Sequence, residues 1–351
     1  MEAFGLREAD TPIRESPGWA STEKVVVFLP EEWDRREERM AFLQEAAPGV
    51  ELIPVRNRAD AMERGVLAEA DVVLGLGCSE STLNAIGARV RWIQSGSVGV
   101  ARCFEESVNQ ALRERHILAT SIRDMTKRAI AQHSLTLMLS LIGGMDIHHD
   151  RQEDHFWGRT QTDVVKDKHL DMEFQDQTLF VVGLGSIGTE VGRLAHALGF
   201  RVVATRNSSR EGPDFVDYVG LSDEMYELAA QADVVYAAVP NTPATQDMFD
   251  KQFFNAMKES AYFVSIVRLP VINWEDLKDA LRTGSIAGFG ADDLPQDDFE
   301  LWDMPRVIMT PHVSDYSNRY RDNQFLLYRE NLRRYVAGER MLNVVDLDRG
   351  Y

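Results

Sequence analysis

Short runs of β-branched and aromatic residues alternate along the chain with longer amphipathic segments. In the first third the apolar runs are KVVVFLP (24–30), VELIPV (50–55), DVVLGL (71–76), VRWIQSG (90–96) and HILATS (116–121), with a helical pattern in WDRREERMAFLQEA (33–46). A long apolar helix is predicted near 125–145, followed by a polar stretch rich in His, Asp and Lys to about residue 172. The alternation resumes with QTLFVVGLG (177–185), FRVVAT (200–205), ADVVYAAV (232–239), AYFVSIV (261–267), SIAGFGA (285–291) and RVIMT (306–310). An amphipathic helix over 323–338 follows. Runs apolar on both faces and joined through helices indicate parallel sheets covered on both sides. The pattern therefore predicts an α/β chain with two doubly wound parallel-sheet domains and a cleft between them.

Composition narrows the function classes. At 351 residues and 44% hydrophobic content, the chain is long enough for two cores. No apolar run approaches the ~20 residues needed to cross a bilayer, and the polar N-terminus lacks the apolar core of a secretory signal. Residues 1–23 are expected to form a flexible arm. The two cysteines, Cys78 and Cys103, make no disulfide framework and supply too few thiolates for zinc, so a reducing cytoplasm is expected. A formal charge of −18 argues against general nucleic-acid binding. It also means that an anionic ligand must be drawn in by a local group of arginines and backbone dipoles.

VVGLGSIGTEVGRLAHALG (181–199) carries Gly183, Gly185 and Gly188 after a predicted strand and at the start of a predicted helix. Gly183 permits the tight turn, Gly185 lets the backbone approach a pyrophosphate, and Gly188 lets the helix pack close to the strand. At the end of the next strand, where an acid would grip the ribose hydroxyls, stand Arg206, Asn207, Ser208, Ser209 and Arg210. A cation there suits a 2′-phosphate, so NADP(H) is expected as the preferred cofactor, with NAD(H) possible. By contrast GLGCSE (75–80) places Glu80 where a third glycine would be, and reads as an ordinary loop. The expected layout is a substrate-binding, flavodoxin-like domain over 24–121 and 319–351, and a Rossmann-like dinucleotide domain over 122–318.

Three further features lie at predicted strand ends of the second domain, where ligands of open α/β sheets bind. FVSIVRLPVI (263–272) reads as a buried strand interrupted by Arg268, whose guanidinium keeps its charge and demands an anion. IAGFGADDLPQDD (286–298) supplies Asp292, Asp297 and Asp298, and VIMTPHVSDYS (307–317) supplies His312 after Pro311.

With these segments on view, the chain resembles the D-isomer-specific 2-hydroxyacid dehydrogenases over nearly its whole length after about residue 24. VVGLGSIG resembles that family's cofactor loop, which adds Ser186 and Ile187 to the cofactor set. VPNTPATQDMF (239–249) resembles its segment flanking the cofactor, which adds Val239, Pro240 and Thr245. SIVRLPVINWEDLKDAL (265–281) resembles its arginine strand, and LWDMPRVIMTPH (301–312) its approach to the catalytic histidine. VRWIQSGSVGV (90–100) looks like its substrate loop, which implies substrate contacts at Ser97, Val98 and Gly99.

Chemistry points the same way. Reducing a 2-oxoacid needs a hydride from the nicotinamide, a proton for the developing alkoxide and a cation for the carboxylate. His312 is expected as the general acid/base, and Arg268 as the carboxylate clamp. The resemblance places Asp292 beside the nicotinamide carboxamide and makes Asp297 the acid that pairs with His312. The family has Glu followed by Pro at that point; here Asp297 is followed by Asp298, a candidate substitute. Other departures are Leu269 for the Gly after the arginine, Ser265 for an Asn, and Gln132 for a Glu before His133. Leu269 is expected to narrow the space beside the clamp.

His148, His149 and His155 read as solvated, His133 as a core residue, and no metal is expected. Arg123 and Lys127 read equally as a second anion site or as surface charge. The resulting expectation is interconversion of a small 2-oxoacid and a D-2-hydroxy acid by an enzyme with a small anionic substrate, no nucleic-acid or membrane partner, and a homodimeric state implied by the resemblance. The rivals are a relative acting on a phosphonate- or phosphite-type anion, and a non-catalytic cofactor-sensing interaction protein.

Overall fold

The computed structural model describes residues 4–157, 173–207 and 209–348. The chain divides into two compact units, Met1–Thr126 with Ser317–Tyr351, and Lys127–Tyr316.

In the first unit, β1 (Lys24–Phe28), β2 (Glu51–Val55), β3 (Val72–Leu74), β4 (Trp92–Gln94) and β5 (Leu118–Thr120) form a parallel sheet in the order β2-β1-β3-β4-β5. Strand residues alternate between the faces: Val25 and Val27 join one core, Val26 and Phe28 the other. Both faces are covered, which is why these strands read as unbroken apolar runs. Pro54 is tolerated because β2 is an edge strand. The N-terminal segment, expected as a flexible arm, is packed: Ile13 is buried, Glu8 bridges Leu342, and Trp19 Nε1 donates to the Tyr335 carbonyl.

In the second unit, β6 (Thr178–Val182), β7 (Arg201–Thr205), β8 (Tyr218–Gly220), β9 (Val234–Ala237), β10 (Tyr262–Ser265), β11 (Gly288–Ala291) and β12 (Val307–Met309) form a parallel sheet in the order β12-β11-β10-β9-β6-β7-β8. Strand order reverses between β6 and β9, the switch point at which open sheets of this kind bind ligands. Phe180 and Val182 pack on one face, Leu179 and Val181 on the other. Helix α1 (Lys127–Ile142) buries Ala131, Leu137, Met138, Leu141 and Ile142 on the second face. Its Leu141 carbonyl accepts from Arg306 Nη2.

Two elements depart from the pattern in the sequence. A short helix, Met145–Glu153, occupies part of the polar stretch, and β8 adds an edge strand where none was expected. Cys78 and Cys103, expected as free thiols, form a disulfide with Cα atoms 5.0 Å apart. The loops after β3 and β4 bring together two residues that lie 25 apart in sequence. Among the described residues no helix is long and apolar enough to cross a membrane.

Candidate active site

The first turn after β6 is shaped by its glycines. Gly183 has φ +97°, and a Cβ there would meet the Ala238 carbonyl oxygen and Val239 Cγ1 at 2.9 Å. A Cβ on Gly188 would lie 2.3 Å from the Gly183 oxygen, so helix α2 (Ser186–Ala197) packs against the turn only without one. Gly185, the N-cap of α2, has no heavy atom within 4 Å of its Cβ position and no side-chain cap. A helix N-terminus with free amides and open space before it fits a pyrophosphate. Ser186 and Ile187 open that helix.

Around the switch point, Val239 and Pro240 follow β9, and Thr245 Oγ1 closes the loop by donating to the Pro240 carbonyl at 2.6 Å. At the end of β7, Arg206 Nε donates to the Leu184 carbonyl and Nη1 to the Glu211 carbonyl, at 3.2 and 3.0 Å. Among the described residues no carboxylate pairs with it. Arg210 differs, because Glu224 neutralises it at 2.7 Å. Asn207 accepts from Ser222 Oγ at 3.5 Å, and Ser208 lies outside the described residues.

Arg268 is not a buried strand residue. β10 stops at Ser265, and Arg268 stands at the head of a 3-10 turn, Leu269–Val271, with its side chain 48% exposed. That position frees the guanidinium to reach His312, which follows β12. Arg268 Nη1 lies 3.2 Å from both ring nitrogens, which places it over the imidazole face rather than along either lone pair. His312 has φ +56°, a left-handed conformation uncommon for a residue with a Cβ and frequent at functional sites. Leu269 follows Arg268 directly and opens the 3-10 turn. It lines an open recess of about 410 Å³ with Pro270, Trp274 and Pro295, which neither Arg268 nor His312 lines.

The acidic run resolves into separate roles. Asp292 is buried and accepts from Thr310 Oγ1 at 2.6 Å, the Val313 amide at 2.9 Å and the Ser314 amide at 2.8 Å. Burial pushes its carboxyl up, but the bonds from Ser314, Thr310 and Val313 outweigh that and hold it below the ordinary aspartate value. His133 Nε2 is 2.8 Å from Thr310 Oγ1 and joins this network. Asp298 caps the turn Phe299–Trp302 through the Leu301 amide and pairs with Lys278 at 2.9 Å, so it is not a partner of His312. Asp297 is exposed and has no hydrogen bond or ion pair with His312. Asp293 stands in that place instead: its Oδ2 accepts from Arg268 Nη1 at 3.2 Å, and its Oδ1 is 3.8 Å from His312 Nδ1. Only its adjacency to Asp292 marked it in the sequence.

In the first unit, Ser97, Val98 and Gly99 form the loop after β4. Ser97 Oγ donates to the Gly99 carbonyl at 3.1 Å, and the Gly96 carbonyl accepts from Tyr320 Oη and Gln324 Nε2 at 3.1 and 2.9 Å. Among the described residues the Val98 and Gly99 amides donate to no protein acceptor. The anchoring of this loop by Tyr320 and Gln324 was not legible beforehand. Arg123 sits 3.9 Å from Asp124. Among the described residues no group of three His, Cys, Asp or Glu could hold a metal.

A family model described as D-isomer specific 2-hydroxyacid dehydrogenase, NAD binding domain, matches residues 135–314. A glyoxylate reductase/hydroxypyruvate reductase of Homo sapiens is 27% identical over 81% of this chain and 86% of its own length. A glyoxylate reductase of Pyrococcus furiosus is 29% identical over 72% of this chain and 74% of its own. The solved structure of an NADPH-dependent glyoxylate/hydroxypyruvate reductase from Sinorhizobium meliloti, with NADP and sulfate, aligns with a TM-score of 0.76 at 20% identity. That alignment covers 94% of this chain and 100% of the other, and it establishes the common fold.

Proposed function

The chain belongs to the D-isomer-specific 2-hydroxyacid dehydrogenases, NAD(P)-dependent oxidoreductases, and within that family we propose that it interconverts a small 2-oxoacid and its D-2-hydroxy acid with NADPH as the preferred cofactor. The observation that carries this reading is the meeting of Arg268 and His312 at 3.2 Å from two strand ends 44 residues apart. When bound, the reduced nicotinamide supplies the hydride.

The chain's own groups supply the rest. Arg268 holds the substrate carboxylate by charge-assisted hydrogen bonds and polarises the carbonyl. His312 gives a proton to the developing alkoxide and takes it back in the reverse direction. Asp292 keeps the backbone after His312 fixed through Val313 and Ser314. Gly183, Gly185 and the first turn of α2 hold the pyrophosphate, and Arg206 takes a 2′-phosphate.

The test is oxidation of NADPH and NADH with glyoxylate, hydroxypyruvate, pyruvate and phenylpyruvate, for wild type and His312→Ala. Wild type is expected to turn over at least one 2-oxoacid. The variant should lose about 10²–10⁴-fold in kcat while binding NADPH like wild type. NADPH binding without turnover of any substrate would overturn the reading.

A further inference from the structure

The geometry points to Asp293, not Asp297, as the positioning residue that orients both His312 and Arg268; this rests on the function proposed above and assigns that site its acid. The two oxygens of one carboxylate face the two functional side chains: Oδ2 lies 3.2 Å from Arg268 Nη1 and Oδ1 lies 3.8 Å from His312 Nδ1. Asp293 is well placed for this role. It follows the buried Asp292, whose three hydrogen bonds tie the end of β11 to the segment carrying His312, and it precedes the buried Leu294. Its side chain is 21% exposed, against 48% and 49% for Arg268 and His312, so its charge is the least solvated of the three.

The rival acids are accounted for. Asp298 is spent on Lys278 and a helix cap. Asp297 is exposed and touches neither partner. Asp315 also acts electrostatically on His312 and Arg268, and burial pushes its carboxyl up. Among the described residues Asp315 makes no hydrogen bond or ion pair with either side chain, whereas Asp293 is within 4 Å of both.

The same carboxylate has a second consequence. Asp293 occupies part of the fork that Arg268 would offer a substrate, so an incoming carboxylate must share or displace it. Removing the charge from Asp293 should therefore act in opposite directions on the two steps. His312 loses the group that orients it as a proton donor, and kcat falls. Arg268 is released from an internal partner, and anion capture improves. A role confined to stability would move both measurements together.

The experiment compares Asp293→Asn, Asp293→Glu and Asp297→Asn with wild type. It measures kcat and KM for the best 2-oxoacid and, separately, the affinity of the NADPH-loaded protein for oxalate as a non-reacting probe. Asp293→Asn is expected to lose tenfold or more in kcat with KM no higher than wild type, and to bind oxalate several-fold more tightly. Asp293→Glu should recover part of kcat, and Asp297→Asn should match wild type in both measurements. Unchanged kcat in Asp293→Asn, the kcat loss appearing in Asp297→Asn, or oxalate binding that weakens with NADPH binding would each overturn the inference. A wild type without turnover would sink the proposed reaction alone, because the oxalate comparison still decides whether Asp293 restrains Arg268.

Discussion

Arg206 and Arg210 are four residues apart in sequence, yet among the described residues only Arg210 has a carboxylate partner. Arg206 is held by two carbonyl groups, which orient a guanidinium without cancelling its charge. A charge-assisted contact from such a group is worth about 1.5–3 kcal/mol, or roughly 10- to 100-fold in affinity. Arg206→Asp is accordingly expected to lower kcat/KM for NADPH by that factor and to raise it for NADH; an unchanged ratio would remove Arg206 from the 2′-phosphate site. The place of Arg206 was legible because the apolar run stops where β7 ends, at Thr205. Arg268 was legible as a type but not in its setting: the letters around it read as one strand, whereas the ladder ends at Ser265 and the arginine stands exposed beyond it. Asp293 was illegible for a different reason. Four acids crowd the segment 292–298, and only the direction in which the loop leaves β11 selects the one that faces His312.

Among the elements, the glycine turn was readable because Gly183 and Gly188 each answer a steric demand that their neighbours impose, while Gly185 leaves open space before the helix. The helix Met145–Glu153 buries none of its residues, so no apolar periodicity announced it. The paired cysteines were misread because sequence spacing does not show which loops meet at the end of a sheet. Their bond ties the loop after β3 to the 3-10 turn Ala101–Phe104, which follows the Ser97–Gly99 segment. Closing a loop of 25 residues stabilises by about 3.5 kcal/mol through the unfolded chain. Cys78→Ser with Cys103→Ser is expected to lower unfolding stability by that amount. Urea melts of the oxidised wild type, the reduced wild type and the double variant check this, and the last two should coincide.

Across the whole molecule, the first unit is written in two pieces, with the second unit's entire sequence between them. The returning piece is structural, not ornamental. Helix α3 (Tyr320–Ala337) contributes Phe325, Leu327, Tyr328, Leu332 and Tyr335, all nearly fully buried, to the core that holds Val25, Val27 and Trp92. Tyr335 stacks on Trp92 with ring centroids 5.1 Å apart. Asn331 donates to Gln94 Oε1 at 2.9 Å and to the Leu342 carbonyl at 3.0 Å, and accepts from the Leu342 amide at 2.9 Å. Burying a large apolar side chain contributes about 1.5–3 kcal/mol, so loss of this helix removes an amount comparable to a domain's usual margin. A chain ended at Tyr316 should keep NADPH affinity and a protease-resistant fragment beginning near Lys127, while residues before it are digested. Resistance of both parts would refute that. On the ribosome the same arrangement imposes a wait. At about 5–20 residues per second, the stretch Lys127–Tyr316 takes roughly 10–40 s to translate. Over that interval β1, β3 and β4 have emerged without the helix that covers one of their faces, and the nascent chain depends on chaperones, or on its own charge, to keep that face from aggregating.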